Sequence, residues 1–162
     1  YLRMIGGKTA ALIEASLHLG ALVGAGDEKA TGHLRHFGRG LGLAFQIQDD
    51  VLGIWGGEKT TGKPADDIQR RKKTLPAVYG LKAARAGERE ELRRIYGQEA
   101  MGKEDVTRVV GILNRLGARG YAQGMAEQYY QEAISQLEAS GLPPPALEEL
   151  KGVAASLMKR EY

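Results

Sequence analysis

The stretch Phe45-Gln46-Ile47-Gln48-Asp49-Asp50-Val51-Leu52-Gly53 sets two adjacent carboxylates in an otherwise apolar pattern. Leu41, Leu43, Ala44, Ile54 and Trp55 extend that apolar setting on both sides. Residues three and four apart share a helix face, so Phe45, Gln46 and Asp49 project together. Asp50 lies about 100° further round. An ionised carboxylate in such surroundings is costly unless a cation or a donor satisfies it. The apolar flanks therefore argue against an exposed, solvated pair.

Downstream of the acids come cations. Lys63 is followed by Asp67 and then by Arg70, Arg71, Lys72 and Lys73. Acids followed at short range by cations suit an anion that arrives with its own metal, and a diphosphate with magnesium is such an anion. Magnesium takes oxygen ligands, keeps several waters, and uses one or two carboxylates plus phosphate oxygens. Asp49 suits the metal, and Gln46 can donate to a phosphate oxygen.

Further out, strand signals are nearly absent and helical periodicity runs almost everywhere. A first helix is expected over Lys8 to Val23, ended by Gly24-Ala25-Gly26. Asp27 caps a longer, buried helix from Glu28 to Ile54. Residues 55–67 hold Gly56, Gly57, Thr60, Thr61, Gly62 and Pro64, a functional-looking loop. Helices are expected at 76–87, 88–98, 103–115 and 115–140. Ser140-Gly141 and Pro143-Pro144-Pro145 then form a stop before a last helix at 145–160. No repeat or linker divides the chain, so residues 1–162 read as a single all-α domain.

Composition narrows the chemistry. The 162 residues can enclose one real core, and no apolar run approaches the length that crosses a bilayer. Cys is absent, which excludes disulfides and thiolate metal sites and gives secretion no support. A cytoplasmic location is the expectation. The net charge of +3 is mild, and the aromatics do not alternate with the Lys and Arg residues, so a nucleic-acid partner is not expected. The opening Tyr1-Leu2-Arg3-Met4-Ile5 has no initiating Met and reads as a fragment.

Remaining features have plainer readings. His33 and His36 share a helix face but lack a third ligand, and they and His18 read as surface residues. Gly38, Gly40 and Gly42 lie within a helix with no strand before them, so close helix packing explains them better than a dinucleotide loop. The same reading extends to Gly20 and Gly24. Tyr121, Met125, Tyr129 and Tyr130 follow helical spacing and read as core or interface. Arg70 to Lys73 reads as the rim of a diphosphate site.

The order Phe45-Gln46, Asp49-Asp50, Gly62-Lys63, Asp67, Lys72 or Lys73, and Leu75-Pro76 resembles the second aspartate-rich region of the trans-isoprenyl diphosphate synthases, or polyprenyl synthetases. Lys8-Thr9 resembles that family's Lys-Thr pair, and Leu157 to Tyr162 looks like a family C-terminus. The resemblance implies an isoprenoid-synthase-type bundle of mostly antiparallel helices, here the C-terminal half and incomplete without an upstream half. It implies a prenyltransferase of isoprenoid biosynthesis that condenses an allylic diphosphate (dimethylallyl, geranyl or farnesyl) with isopentenyl diphosphate, aided by Mg2+, in a homodimer.

By position, the resemblance gives Lys8, Thr9, Phe45, Gln46, Lys63 and Lys72 to the allylic diphosphate. Lys8, Thr9, Gln46 and Lys63 count as catalytic. Asp49 ligates magnesium, Asp50 supports it through water, and Asp67 stands in the metal's outer shell. Two departures matter. Gly53 stands where the family motif often has a third Asp. No earlier aspartate-rich motif precedes Asp49, so the chain alone is expected not to condense. A non-catalytic partner subunit and a terpene cyclase-like synthase are the alternatives.

Overall fold

The computed structural model describes residues 1–24, 27–57 and 66–159, and every regular element among them is helical. The elements are α1 (Leu2–Ile5), a π-helical turn (Gly6–Ala10), α2 (Ala11–Gly24), α3 (Glu28–Trp55), α4 (Leu75–Ala83), α5 (Ala86–Tyr96), α6 (Lys103–Arg115), α7 (Ala118–Glu138) and α8 (Pro144–Lys159). Among the described residues no helix is long and apolar enough to cross a membrane.

The chain groups into two compact units. One holds Tyr1 and residues 47–124. The other holds residues 2–46 and 125–160. The first has a core of large aliphatic side chains: Ile54, Ile68, Leu92, Ile95, Val109, Ile112 and Leu113 are all buried. The second packs Leu34, Phe37, Leu41 and Leu137 with the small Ala21, Ala133 and Ala154.

Helix ends follow local chemistry. Asp27 starts α3 by accepting from the backbone N–H groups of Lys29 (3.1 Å) and Ala30 (3.2 Å). Thr74 caps α4, accepting from Ala77 N at 3.4 Å, with Pro76 in the first turn. Gly141 carries a φ of 73°, which turns the chain out of α7 toward α8.

Three expectations need correction. The predicted helix 76–87 ends at Ala83, because the Arg89 side chain donates to the carbonyls of Leu81, Lys82 and Ala84 and satisfies that terminus from outside. The predicted helix over Lys8 to Val23 begins earlier and holds a π turn. Gly20 and Gly24 are not packing glycines, since a Cβ at either would meet nothing within 4 Å. The reading holds for the other three. A Cβ on Gly38 would lie 2.9 Å from the Glu14 Cα, and on Gly40 3.0 Å from the Ala133 Cβ. On Gly42 it would come within 2.5 Å of the Ala10 Cα.

Candidate diphosphate and metal site

In the unit that holds residues 2–46, the expected diphosphate residues Lys8 and Thr9 sit on a backbone irregularity. The Ala11 N–H reaches back to the Gly6 carbonyl, closing a π turn that carries Lys8 and Thr9. Such turns recur at functional sites because one extra residue re-aims the side chains around it. Ala10 then presses on α3 where Gly42 leaves room. One turn along α3, Thr9 Oγ1 donates to Gln46 Oε1 at 2.7 Å. That bond assigns the amide oxygen as its acceptor and Nε2 as the donor end. Lys8 is exposed on the same turn, and Phe45 and Gln46 are half-buried.

In the other unit the acids gather around the end of α3. Asp50 is buried, and its Oδ2 accepts from the Leu75 N–H at 2.8 Å and from the Tyr1 hydroxyl. Burial, together with that bond to Asp50, pushes the Tyr1 phenol well above its usual range. Asp50 thus ties α3 to the start of α4. Asp49 is half-buried.

Asp67 is 3% exposed. It sits in a single helical turn that ends with the Lys72 N–H on the Asp67 carbonyl (2.9 Å) and the Arg71 N–H on the Ile68 carbonyl (2.8 Å). Those two bonds are the Schellman pattern, and Arg71 takes the left-handed position with φ 53°. The reversal brings the Lys72 ammonium back onto Asp67 Oδ1. Hydrogen bonding to Asp67, and then the fields of Asp67, Asp49 and Asp66, raise the Lys72 pKa above its ordinary value against a smaller desolvation effect. Two other residues of the basic run have different partners. Arg70 pairs with Asp66 at 2.7 Å, and Arg71 donates to the Gln98 carbonyl. The basic run therefore divides, and of these three residues it is Lys72 that reaches Asp67.

The Asp67 backbone N–H donates to the Gly53 carbonyl at 3.2 Å, and a Cβ on Gly53 would overlap the Asp67 carboxyl group. Asp67 Oδ2 is buried and has no hydrogen-bond partner among the described residues. Burial, with the charge of Asp67 nearby, pushes the Tyr96 phenol up to about 12. A buried carboxylate oxygen without a donor is costly, and a hard cation is one group that would satisfy it. Among the described residues no three acidic or histidine side chains close into a ligand set.

Lys63, the remaining expected site residue, lies outside the described residues. Two of the three histidines have structural partners: His33 Nδ1 meets Gln136 Oε1 at 2.9 Å, and His36 Nδ1 meets the Gly32 carbonyl at 2.8 Å. Sequence reasoning missed Tyr1 and Tyr96. Neither belongs to a periodic pattern that would mark it, and both become visible only through the carboxylates they face.

The chain resembles known proteins. The model of the polyprenyl synthetase family matches residues 1–113. A geranylgeranyl diphosphate synthase of Mycobacterium tuberculosis is 44% identical over 139 residues, which is 85% of this chain and 39% of that protein. The crystal structure of geranylgeranyl pyrophosphate synthetase from Pyrococcus horikoshii superposes with a TM-score of 0.88 at 34% identity, covering 99% of this chain and 49% of that one. A polyprenyl synthase from Caulobacter crescentus, complexed with calcium and isoprenyl diphosphate, gives 0.84 at 32% identity over the same shares. The chain spans about half the length, or less, of the proteins it matches. On these grounds the chain belongs to the polyprenyl synthetase family.

Proposed function

We propose that the chain is the C-terminal, metal- and diphosphate-holding portion of a prenyl diphosphate synthase. The whole enzyme would join an allylic diphosphate (dimethylallyl, geranyl or farnesyl) to isopentenyl diphosphate. The observation that carries this reading is the buried, half-satisfied Asp67 carboxylate, held by Lys72 and packed against the end of α3 at Gly53. Relatives that bear the names of such synthases support it.

The chemistry follows from charge. Ionising an allylic C–O bond leaves a diphosphate trianion, and cations placed around the departing oxygens stabilise the transition state. Lys8 and Lys72 supply such charge, and Lys63 belongs to the same proposal. Thr9 holds the Gln46 amide so that its N–H2 end serves phosphate oxygens. Asp49, Asp50 and Asp67 would hold magnesium, which when bound acts as Lewis acid and template. Apolar helix faces exclude the water that would quench an allylic cation.

A homodimer and an upstream half belong to the proposal, as does a cytoplasmic location. Helix α2 leaves Leu12, Leu19, Leu22 and Val23 exposed, the kind of apolar surface a partner covers. The chain by itself should bind but not condense.

Calorimetric titration of a bisphosphonate, a non-hydrolysable diphosphate mimic, in the presence of magnesium tests the reading. Asp49→Ala should weaken binding by about tenfold or more, the scale of a lost metal contact. An unchanged affinity removes Asp49 from the site.

A further inference from the structure

Lys72 turns back onto Asp67, but the three other cations of the basic run line a cavity that Lys72 does not. Arg70, Arg71 and Lys73 border a space of about 440 Å³, and Val78, Leu81 and Tyr96 supply its apolar wall. Among the described residues no acid lines it. Arg70 is shared with Asp66. Arg71 is held by the Gln98 carbonyl, a neutral acceptor that fixes the guanidinium without offsetting its charge. Lys73 is exposed and has no ion pair or hydrogen bond among the described residues. Like charges set against low-dielectric walls focus their field on the space between them and concentrate anions there.

The backbone agrees. Arg71 sits in the left-handed region at φ 53°, which a glycine or an asparagine adopts more cheaply. An arginine held there at a cost indicates a use for its side chain.

We propose that this cavity is a second anion site, which takes the phosphate of an organic phosphate without a metal. The cations receive the phosphoryl oxygens through charge-assisted hydrogen bonds. Val78, which is exposed, and Leu81 cover an apolar group attached to the phosphate. The inference goes beyond the diphosphate reading above and does not rest on it, because a site lined by cations alone offers magnesium no ligand. Two sources carry this chemistry: the head group of an anionic lipid, and a free organic phosphate.

The test uses the chain in metal-free buffer. n-Butyl phosphate and inorganic phosphate are titrated by calorimetry, and vesicles of phosphatidylglycerol or of phosphatidylcholine are cosedimented with the chain. The variants are Lys73→Gln, Arg71→Gln, Val78→Asn, and Arg108→Gln at an exposed cation outside the cavity. Butyl phosphate should bind saturably and more tightly than inorganic phosphate. Lys73→Gln and Arg71→Gln should each weaken it by about tenfold, the scale of one charge-assisted hydrogen bond. Arg108→Gln should leave it unchanged, and Val78→Asn should abolish the preference for the butyl group.

Cosedimentation with phosphatidylglycerol alone, lost in Lys73→Gln, supports the site and makes a lipid its source. Butyl phosphate binding without vesicle binding supports it and makes the source a free organic phosphate. Failure of the unaltered chain to bind either overturns the inference. So does wild-type affinity in Lys73→Gln, or an equal loss from Arg108→Gln, which would make binding a matter of net charge. Asp49→Ala should leave every metal-free reading as it was. A loss there would put the phosphate at the acids and overturn the inference, whereas the diphosphate reading is decided separately, by binding that needs magnesium.

Discussion

The two units use close approach for opposite ends. In the unit of residues 2–46 and 125–160, glycines bring backbone onto backbone: Gly42 against Ala10, Gly38 against Glu14. The gain is placement, because the π turn and its Thr9 can then reach Gln46. In the unit of residues 47–124 the core is filled by large aliphatic side chains, and the tight contact at Gly53 is made with a charged group. One unit fixes a hydrogen-bonded side chain by leaving side chains out. The other stores an acid behind a filled core.

If that contrast is right, the units fail in different ways. Leu113→Ala, a large-to-small change at a fully buried position, should cost about 2–5 kcal/mol as measured by denaturant unfolding. Gly42→Ala, a small-to-large change in the other unit, should cost about 1–3 kcal/mol by the same measurement and loosen the π turn. Equal tolerance of both changes would erase the distinction. Thr74→Ala removes the cap of α4 and should cost about 1 kcal/mol by chemical denaturation.

The smallest effects are electrostatic, and their signs differ between units. Lys72 and Tyr96 have raised pKa values, so their contributions are full below the unfolded values and are lost as pH rises through the folded ones. For Tyr96 that window runs from 10.0 to about 12. Tyr96→Phe should therefore flatten the fall in melting temperature across it. Glu14, in the other unit, has its pKa lowered chiefly by its bond to Arg35 and also by Arg39. Its contribution is present above 4.5 and lost as pH falls. Glu14→Gln should shallow only the acid limb. The effect is small because both arginines are exposed.

Much of this was legible from residues alone. Helical periodicity announces the all-α fold, and the cap at Asp27 is local chemistry that a sequence displays. The apolar flanks of Asp49-Asp50 predict burial, and Asp50 is indeed buried. Other features were hidden for identifiable reasons. The π turn at Gly6–Ala10 adds one residue to a turn, and no residue type in it marks that insertion. The break after Ala83 is enforced by Arg89, a residue with no helix-stop signature. Gly53 looks like a missing acid in sequence, because the carboxylate beside it belongs to Asp67, well downstream in the chain. Gly20 and Gly24 look like packing glycines only until their empty surroundings are seen.

The central claim is that the acids at the end of α3 hold phosphate by way of a divalent ion. Calorimetric titration of inorganic pyrophosphate into the chain, with and without magnesium, tests it most directly. The account predicts saturable binding with magnesium and affinity at least about tenfold weaker without it. Equal affinity in the two titrations would contradict it.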